Sequence, residues 1–268
     1  MPLTRFVKTT EQQEALQRVF AAPAFLDIRS LAVTFESDPA VIAEILPPPL
    51  EATSAPRVSI SISEIRRSNC VGPFYGCSFN IACRYAGEDG SYCLTMPMST
   101  DTAVIFGREL YAEPKKLAEI ALDVRDDGRV RGTVTRHGIT YIDLRGTFEE
   151  PILASGRETT SHHYYFKYLP AADGCGFAHD PQLVRVTHRA VTHQLARGSG
   201  IVTLRESPHD PVIDVPVLSV TGATLSEGET HTSAEVVATV PAALFRPYAF
   251  GKMDDLTVWA ETKSLAHA

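Results

Sequence analysis

Apolar residues in this chain recur at every second position over long stretches. Val58, Ile60 and Ile62 alternate with Arg57, Ser59, Ser61 and Ser63. Phe79, Ile81, Cys83 and Tyr85 repeat the pattern, and so do Tyr92, Leu94, Met96 and Met98. Period two predicts strands with one buried face. Gly87-Glu88-Asp89-Gly90 lies between the last two runs and reads as a hairpin connection. Further strands are expected over Val130 to Arg136, Ile139 to Phe148, His163 to Tyr168, Leu183 to Thr187, Gly200 to Arg205, Val215 to Leu225 and Ala234 to Val240.

Helical signals are few and short. Thr9 with Gln12 forms a capping-box pair ahead of Ala15, Leu16, Val19 and Phe20. A second short helix is expected from Pro39 to Leu46, stopped by Pro47-Pro48-Pro49, because proline cannot continue a helix. A third is expected from Pro114 to Leu122, with proline at its start, where the missing N–H costs nothing. The pattern predicts a mainly β (α+β) chain, a curled antiparallel sheet or barrel with a few short helices. With no linker or repeat in sight, residues 1–268 read as one domain with a frayed tail from about Glu261.

Composition narrows the classes of function. The 268 residues are 44% hydrophobic and 21% charged, enough for a sizeable core. A net charge of −7 disfavours nucleic acid and anionic membranes as partners, since both require a positive field. No run approaches the roughly 20 apolar residues of a membrane helix, and residues 1–20 lack the apolar stretch of a signal peptide. A cytoplasmic protein is expected. The five cysteines lack CxxC spacing, so reduced thiols are expected rather than a disulfide framework or a zinc site.

The most informative segment runs from Phe106 to Ala118 and contains Glu113-Pro114-Lys115-Lys116-Leu117. Adjacent lysines are usually a solvated surface feature, but here the flanks are apolar and the pair sits at an element junction. A neighbouring cation disfavours a second positive charge on an amine, leaving more of it as free nucleophile near neutral pH.

Gly107-Arg108-Glu109-Leu110 followed by Pro114-Lys115-Lys116-Leu117-Ala118 resembles the active-site signature of the acetoacetate decarboxylase family. The resemblance extends over most of the chain: Phe25 to Arg29, Leu46 to Glu51, Tyr164 to Pro170, and Ser207 to Pro211 with Pro216-Val217 beyond it. It implies a cofactor-free lyase of small keto acids that self-associates into a homo-oligomer. Lys115 would attack the substrate ketone and form an imine, and Lys116 would tune it rather than react. Arg29 matches a family arginine that would hold the substrate carboxylate. Met96 falls at a pocket position, and Glu64 matches one of the family's two pocket carboxylates across a short gap.

The pattern also departs from the family. Counting back from Lys115, the second carboxylate position falls on Gly76, which has no side chain, while Glu113 stands where classical members carry an apolar residue. A carboxylate near the imine would balance its charge and move protons. Three readings therefore stay open: decarboxylation of a β-keto acid; aldol condensation and dehydration on pyruvate, with Glu113 or Tyr248 supplying acid and base; and a binding protein that keeps the fold without catalysis. His162-His163 shows no metal-ligand spacing and is expected to be structural or exposed.

Overall fold

The structure is a computed structural model and describes residues 4–149 and 153–259. The expected frayed tail lies outside the described residues. The strands are β1 (Ala24–Glu36), β2 (Glu51–Ala52), β3 (Arg57–Ser68), β4 (Phe74–Tyr85), β5 (Glu88–Met98), β6 (Lys115–Leu117), β7 (Glu119–Val124), β8 (Arg129–Arg136), β9 (Ile139–Thr147), β10 (Leu153–Lys167), β11 (Gln182–Leu204) and β12 (Ser219–Thr239). The helices are α1 (Thr10–Ala21), α2 (Pro39–Ile45), α3 (Asp101–Tyr111) and the single turn α4 (Ala242–Phe245).

Seven strands close on themselves in the order β10-β5-β4-β3-β1-β12-β11, with β11 pairing back to β10. This is the expected curled sheet carried to full closure, which removes its free edges. Within the ring only the β10–β5 contact is parallel. The far end of β11 leaves the ring and pairs with β9, starting the sheet β9-β8-β7 that lies over β1, β3 and β4.

Period two sorts the side chains between two interiors. Val58, Ile60 and Ile62 of β3 and Phe79 and Ile81 of β4 point outward, into a large core shared with Val134, Ile142 and Leu144 of the covering sheet. Ser61, Ser63, Gly76, Ser78 and Asn80, one position out of phase, point into a cavity inside the ring. The polar face of these strands therefore lines a pocket instead of meeting bulk solvent.

Two-residue turns support this pairing. Tyr85 pairs with Glu88 across Ala86 and Gly87, both left-handed with φ 51° and 84°. Two left-handed residues in succession give the turn whose twist matches a hairpin, slightly ahead of the predicted Gly87 to Gly90. At α1, the Thr9 hydroxyl accepts from the Gln12 N–H at 3.3 Å and the Gln12 side chain accepts from the Thr9 N–H at 3.1 Å, the expected capping box.

Three expectations need correction. The helix expected over Pro114 to Leu122 is β6 followed by β7. Backbone pairing overrides the local signal: Met96 sits opposite Lys115 and Met98 opposite Leu117, while β7 pairs with β8. The helix of this region comes earlier, as α3. The strands expected at Leu183–Thr187 and Gly200–Arg205 are two ends of the single strand β11. Ala234 to Val240 likewise continues β12, which begins at Ser219 rather than Val215.

Candidate active site

Helix α3 ends at Ala112, whose φ of 60° is the left-handed conformation that turns the chain out of a helix. The Glu113 N–H donates back to the Gly107 carbonyl at 3.2 Å, so the exiting chain lies close along the helix. Gly107 makes this approach possible. A Cβ there would sit 1.9 Å from Glu113 Oε2 and 2.4 Å from Lys115 Nζ. These two side chains occupy the space that a larger residue would fill.

Lys115 Nζ and Glu113 Oε2 are 2.7 Å apart, with both residues buried at 5% and 7% exposure. They lie at the wall of a cavity of ≈330 Å³ inside the ring. Met96, directly opposite Lys115 on β5, lines the same cavity, as do Met98, Ile65 and Phe74. The predicted trio of Lys115, Glu113 and Met96 is thus brought together.

Lys116 is turned the other way, because successive residues of a strand face opposite sides. Its amine donates to the His209 carbonyl at 2.8 Å and to Asp210 Oδ1 at 3.0 Å, with Asp254 at 3.4 Å. Arg136 joins the same carboxylates, 2.5 Å from Asp210 and 2.8 Å from Asp254. Burial alone would raise the Asp254 carboxyl, but hydrogen bonds from Arg136 and His137 outweigh it and hold that group at about 2. The Lys116 charge, expected to tune Lys115, is paired with carboxylates on the far face of β6.

Three other expected site residues lie outside the cavity lining. Arg29 is tied to Glu227 at 2.6 Å. Glu64 accepts from Arg66 at 3.1 Å and from the Tyr75 hydroxyl at 3.2 Å. It is out of phase with Ser63 and Ile65, which face inward. Tyr248 lines a separate cleft with Tyr92 and Lys252. At Gly76, a Cβ would come within 3.0 Å of the Met98 thioether, so methionine fills the place where the family pattern puts a carboxylate.

The sequence reading missed several cavity residues. His163 and Tyr165 reach the cavity from β10 and His188 from β11. Burial, reinforced by His188, pushes the His163 imidazole down to about 3. Burial and then the Lys115 charge push His188 down to about 4. Both rings are therefore neutral near pH 7. The phase of Ser161, His163 and Tyr165 along a strand was the available signal, and it shows inwardness only once the closed ring is known.

Lys252 was also missed and carried no motif. Its amine donates to the carbonyls of Ala112 and Phe166. Arg108 bridges the carbonyls of Lys115 and Lys252 at 2.9 and 3.1 Å. Burial, and then the Arg108 charge, push the Lys252 amine down to about 7. These contacts clamp the segment that carries Glu113 and Lys115.

A closed β-ring whose cavity ends on a buried amine–carboxylate pair defines the class of protein to which this chain belongs. Comparison with known proteins gives this class its family. The family model for acetoacetate decarboxylase (ADC) matches residues 6–240, and the chain belongs to that family. Acetoacetate decarboxylases of Burkholderia multivorans and Burkholderia ambifaria are each 30% identical over 209 residues, covering 74% of this chain and 81% of the relative. The crystal structure of acetoacetate decarboxylase from Legionella pneumophila superposes with a TM-score of 0.74 at 20% identity, covering 82% of this chain and 88% of that one. The enduracididine biosynthesis enzyme MppR complexed with pyruvate superposes with a TM-score of 0.66 at 15% identity, covering 81% and 91%. Among the described residues, no helix is long and apolar enough to cross a membrane.

Proposed function

We propose that the chain is a Schiff-base lyase that decarboxylates a β-keto acid through an imine on Lys115. The observation that carries this reading is the buried 2.7 Å contact between Lys115 Nζ and Glu113 Oε2 at the cavity wall. Moving the shared proton onto the carboxylate leaves a free amine pointing at substrate. The amine adds to the ketone carbon, and Glu113 returns the proton to the departing hydroxyl as water. The carboxylate of Glu113 then balances the positive imine. The bond from the α-carbon to the substrate carboxylate breaks, carbon dioxide leaves, and the electron pair moves onto the imine nitrogen as an enamine. Protonation of the α-carbon and hydrolysis release the ketone and restore Lys115. The apolar wall of Ile65, Phe74, Met96 and Met98 supports the loss, since a carboxylate held there lacks the water that would stabilise it.

The test is reduction with borohydride in the presence of acetoacetate or pyruvate, then measurement of the protein mass. The expected result is one adduct, absent from Lys115→Ala. An unmodified protein, or an adduct that survives Lys115→Ala, overturns the imine and leaves a binding role for the cavity.

A second reading keeps the imine and changes the later steps. Glu113, beside the amine, is placed to form an enamine from pyruvate and later to expel water after addition to an aldehyde. The fold neighbour MppR, studied with the condensation product of pyruvate and imidazole 4-carboxaldehyde, supports this alternative. Release of carbon dioxide from a β-keto acid favours the first reading, and consumption of added aldehyde with pyruvate favours the second.

A further inference from the structure

The inner face of the ring carries a polar row that the imine chemistry does not use. Gly76 pairs with Met98 and Phe79 with Thr95, which places Ser78 beside Met96. Met96 pairs with Lys115 on one side, and Ser78 pairs with Ser61 on the other. Lys115, Met96, Ser78 and Ser61 thus form one row across four adjacent strands. At roughly 4.8 Å per strand, the row extends about 14 Å from the lysine backbone.

The far end of this row is built for hydrogen bonding. The Ser61 and Ser78 hydroxyls lie 2.8 Å apart, and the Asn80 amide nitrogen donates to the Ser78 hydroxyl at 2.9 Å. Asn80 Oδ1 is enclosed and has no hydrogen-bond partner. Across the cavity, His163 Nδ1 and the Tyr165 hydroxyl are also enclosed and unpartnered. Enclosed polar atoms are rarely left unpaired in proteins, because each has given up water without a replacement. These three residues line the cavity, while the serine hydroxyls and the Asn80 amide form the polar row itself.

Charge and size narrow the ligand. The charged residues of the lining are Lys115 and Glu113, which pair with each other. His163 and His188 are held neutral by burial. A second carboxylate or a phosphate on the substrate would therefore find no counter-charge. The ≈330 Å³ cavity falls within the range of about 300–1,000 Å³ typical of sites for drug-sized molecules, well beyond what a four-carbon acid fills.

We infer that the substrate is a keto acid whose chain beyond the ketone carries uncharged hydrogen-bonding groups, hydroxyl or amide, received by Ser78, Ser61 and Asn80. This inference rests on the imine at Lys115 and adds the chemistry of the substrate tail. A hydroxyl or amide on the tail would exchange hydrogen bonds with the paired Ser61 and Ser78 hydroxyls. A site that hydrogen-bonds a substrate group discriminates strongly against the analogue that lacks it, because the protein's own polar atoms then stay unpaired.

The experiment compares 3-oxohexanoate with 5-hydroxy-3-oxohexanoate on the unmodified chain, alongside borohydride trapping with acetoacetate. The expected result is a kcat/KM at least about 100-fold higher for the hydroxylated acid, collapsing to within about threefold in Ser78→Ala/Asn80→Leu. Trapping with acetoacetate but equal or better turnover of the plain acid overturns the tail assignment and leaves the imine standing. Absence of trapping with every keto acid overturns both. A preference that persists in the double variant shows that another part of the cavity reads the tail and overturns the role of the row. The ratio on the unmodified chain decides the tail chemistry even if the double variant does not fold, and Ser78→Ala alone then tests the row.

Discussion

Lys115 and Lys116 are neighbours in the chain, equally enclosed, and both ion-paired, yet the two faces of β6 make them different chemical objects. Lys116 has a backbone carbonyl and two carboxylates around its amine, with Arg136 bound to the same carboxylates. It does not line the cavity. Lys115 has one carboxylate partner and an open cavity beyond it. Burial with several partners suits a structural residue, whereas burial with one partner and a free approach suits the proposed reagent. The alternation of a three-residue strand separates the two roles.

The sharpest way to break this comparison is at Glu113. Glu113→Gln keeps size and hydrogen bonding but loses the proton carrier, so the rate of adduct formation should fall about 10³-fold. A loss below tenfold would return Glu113 to a merely structural role. The opposite face responds in stability. Lys116→Met leaves Asp210 buried with one cation fewer, and unfolding in denaturant should show a loss of about 3 kcal/mol. The pH profile of trapping should stay where it was. A shift of that profile to higher pH would reinstate Lys116 as the tuning charge.

Gly107 probes the space around Glu113 and Lys115. In Gly107→Ala, the new methyl would meet side-chain atoms of Glu113 and Lys115 and no backbone, so the pair must shift to make room. Helix propensity favours alanine over glycine by about 1 kcal/mol. Trapping should therefore slow about tenfold while stability holds or rises. A parallel loss of stability would show that the clash reaches the backbone.

A last effect concerns acid. His163 and His188 sit near 3 and 4 in the folded chain, against 6.5 unfolded. Between pH 6.5 and about 4 the unfolded chain binds the extra protons, so stability is complete above pH 6.5 and declines as pH falls. Each histidine contributes a slope of at most about 1.4 kcal/mol per pH unit in that window. His188→Gln should remove about half the slope. An unchanged slope would show that these rings are not what the acid titrates.

Much of the fold was legible because period two is a local signal. The alternation over Val58 to Ser63 and Phe79 to Tyr85 identifies β3 and β4 and separates their two faces. The capping pair Thr9–Gln12 likewise marks the start of α1 from four residues alone. Pro114 to Leu122 was not legible, since a proline-led stretch with good helix formers becomes strand only when β5 and β8 are there to pair with it. α3 gave a weak signal because Val104, Ile105 and Gly107 are poor helix formers; its glycine serves the site instead.

For the site, the sequence by itself picked out Lys115, the unexpected carboxylate two residues before it, and the methionine that faces them. Motif and spacing carry that information along the chain. Tertiary structure alone decided that Lys116 faces away, that Arg29, Glu64 and Tyr248 stand outside the cavity, and that serines read as a solvated strand face line its interior. Those outcomes depend on ring closure and on which distant carboxylate meets which cation. Asp210 lies 94 residues from Lys116, a separation no local pattern spans.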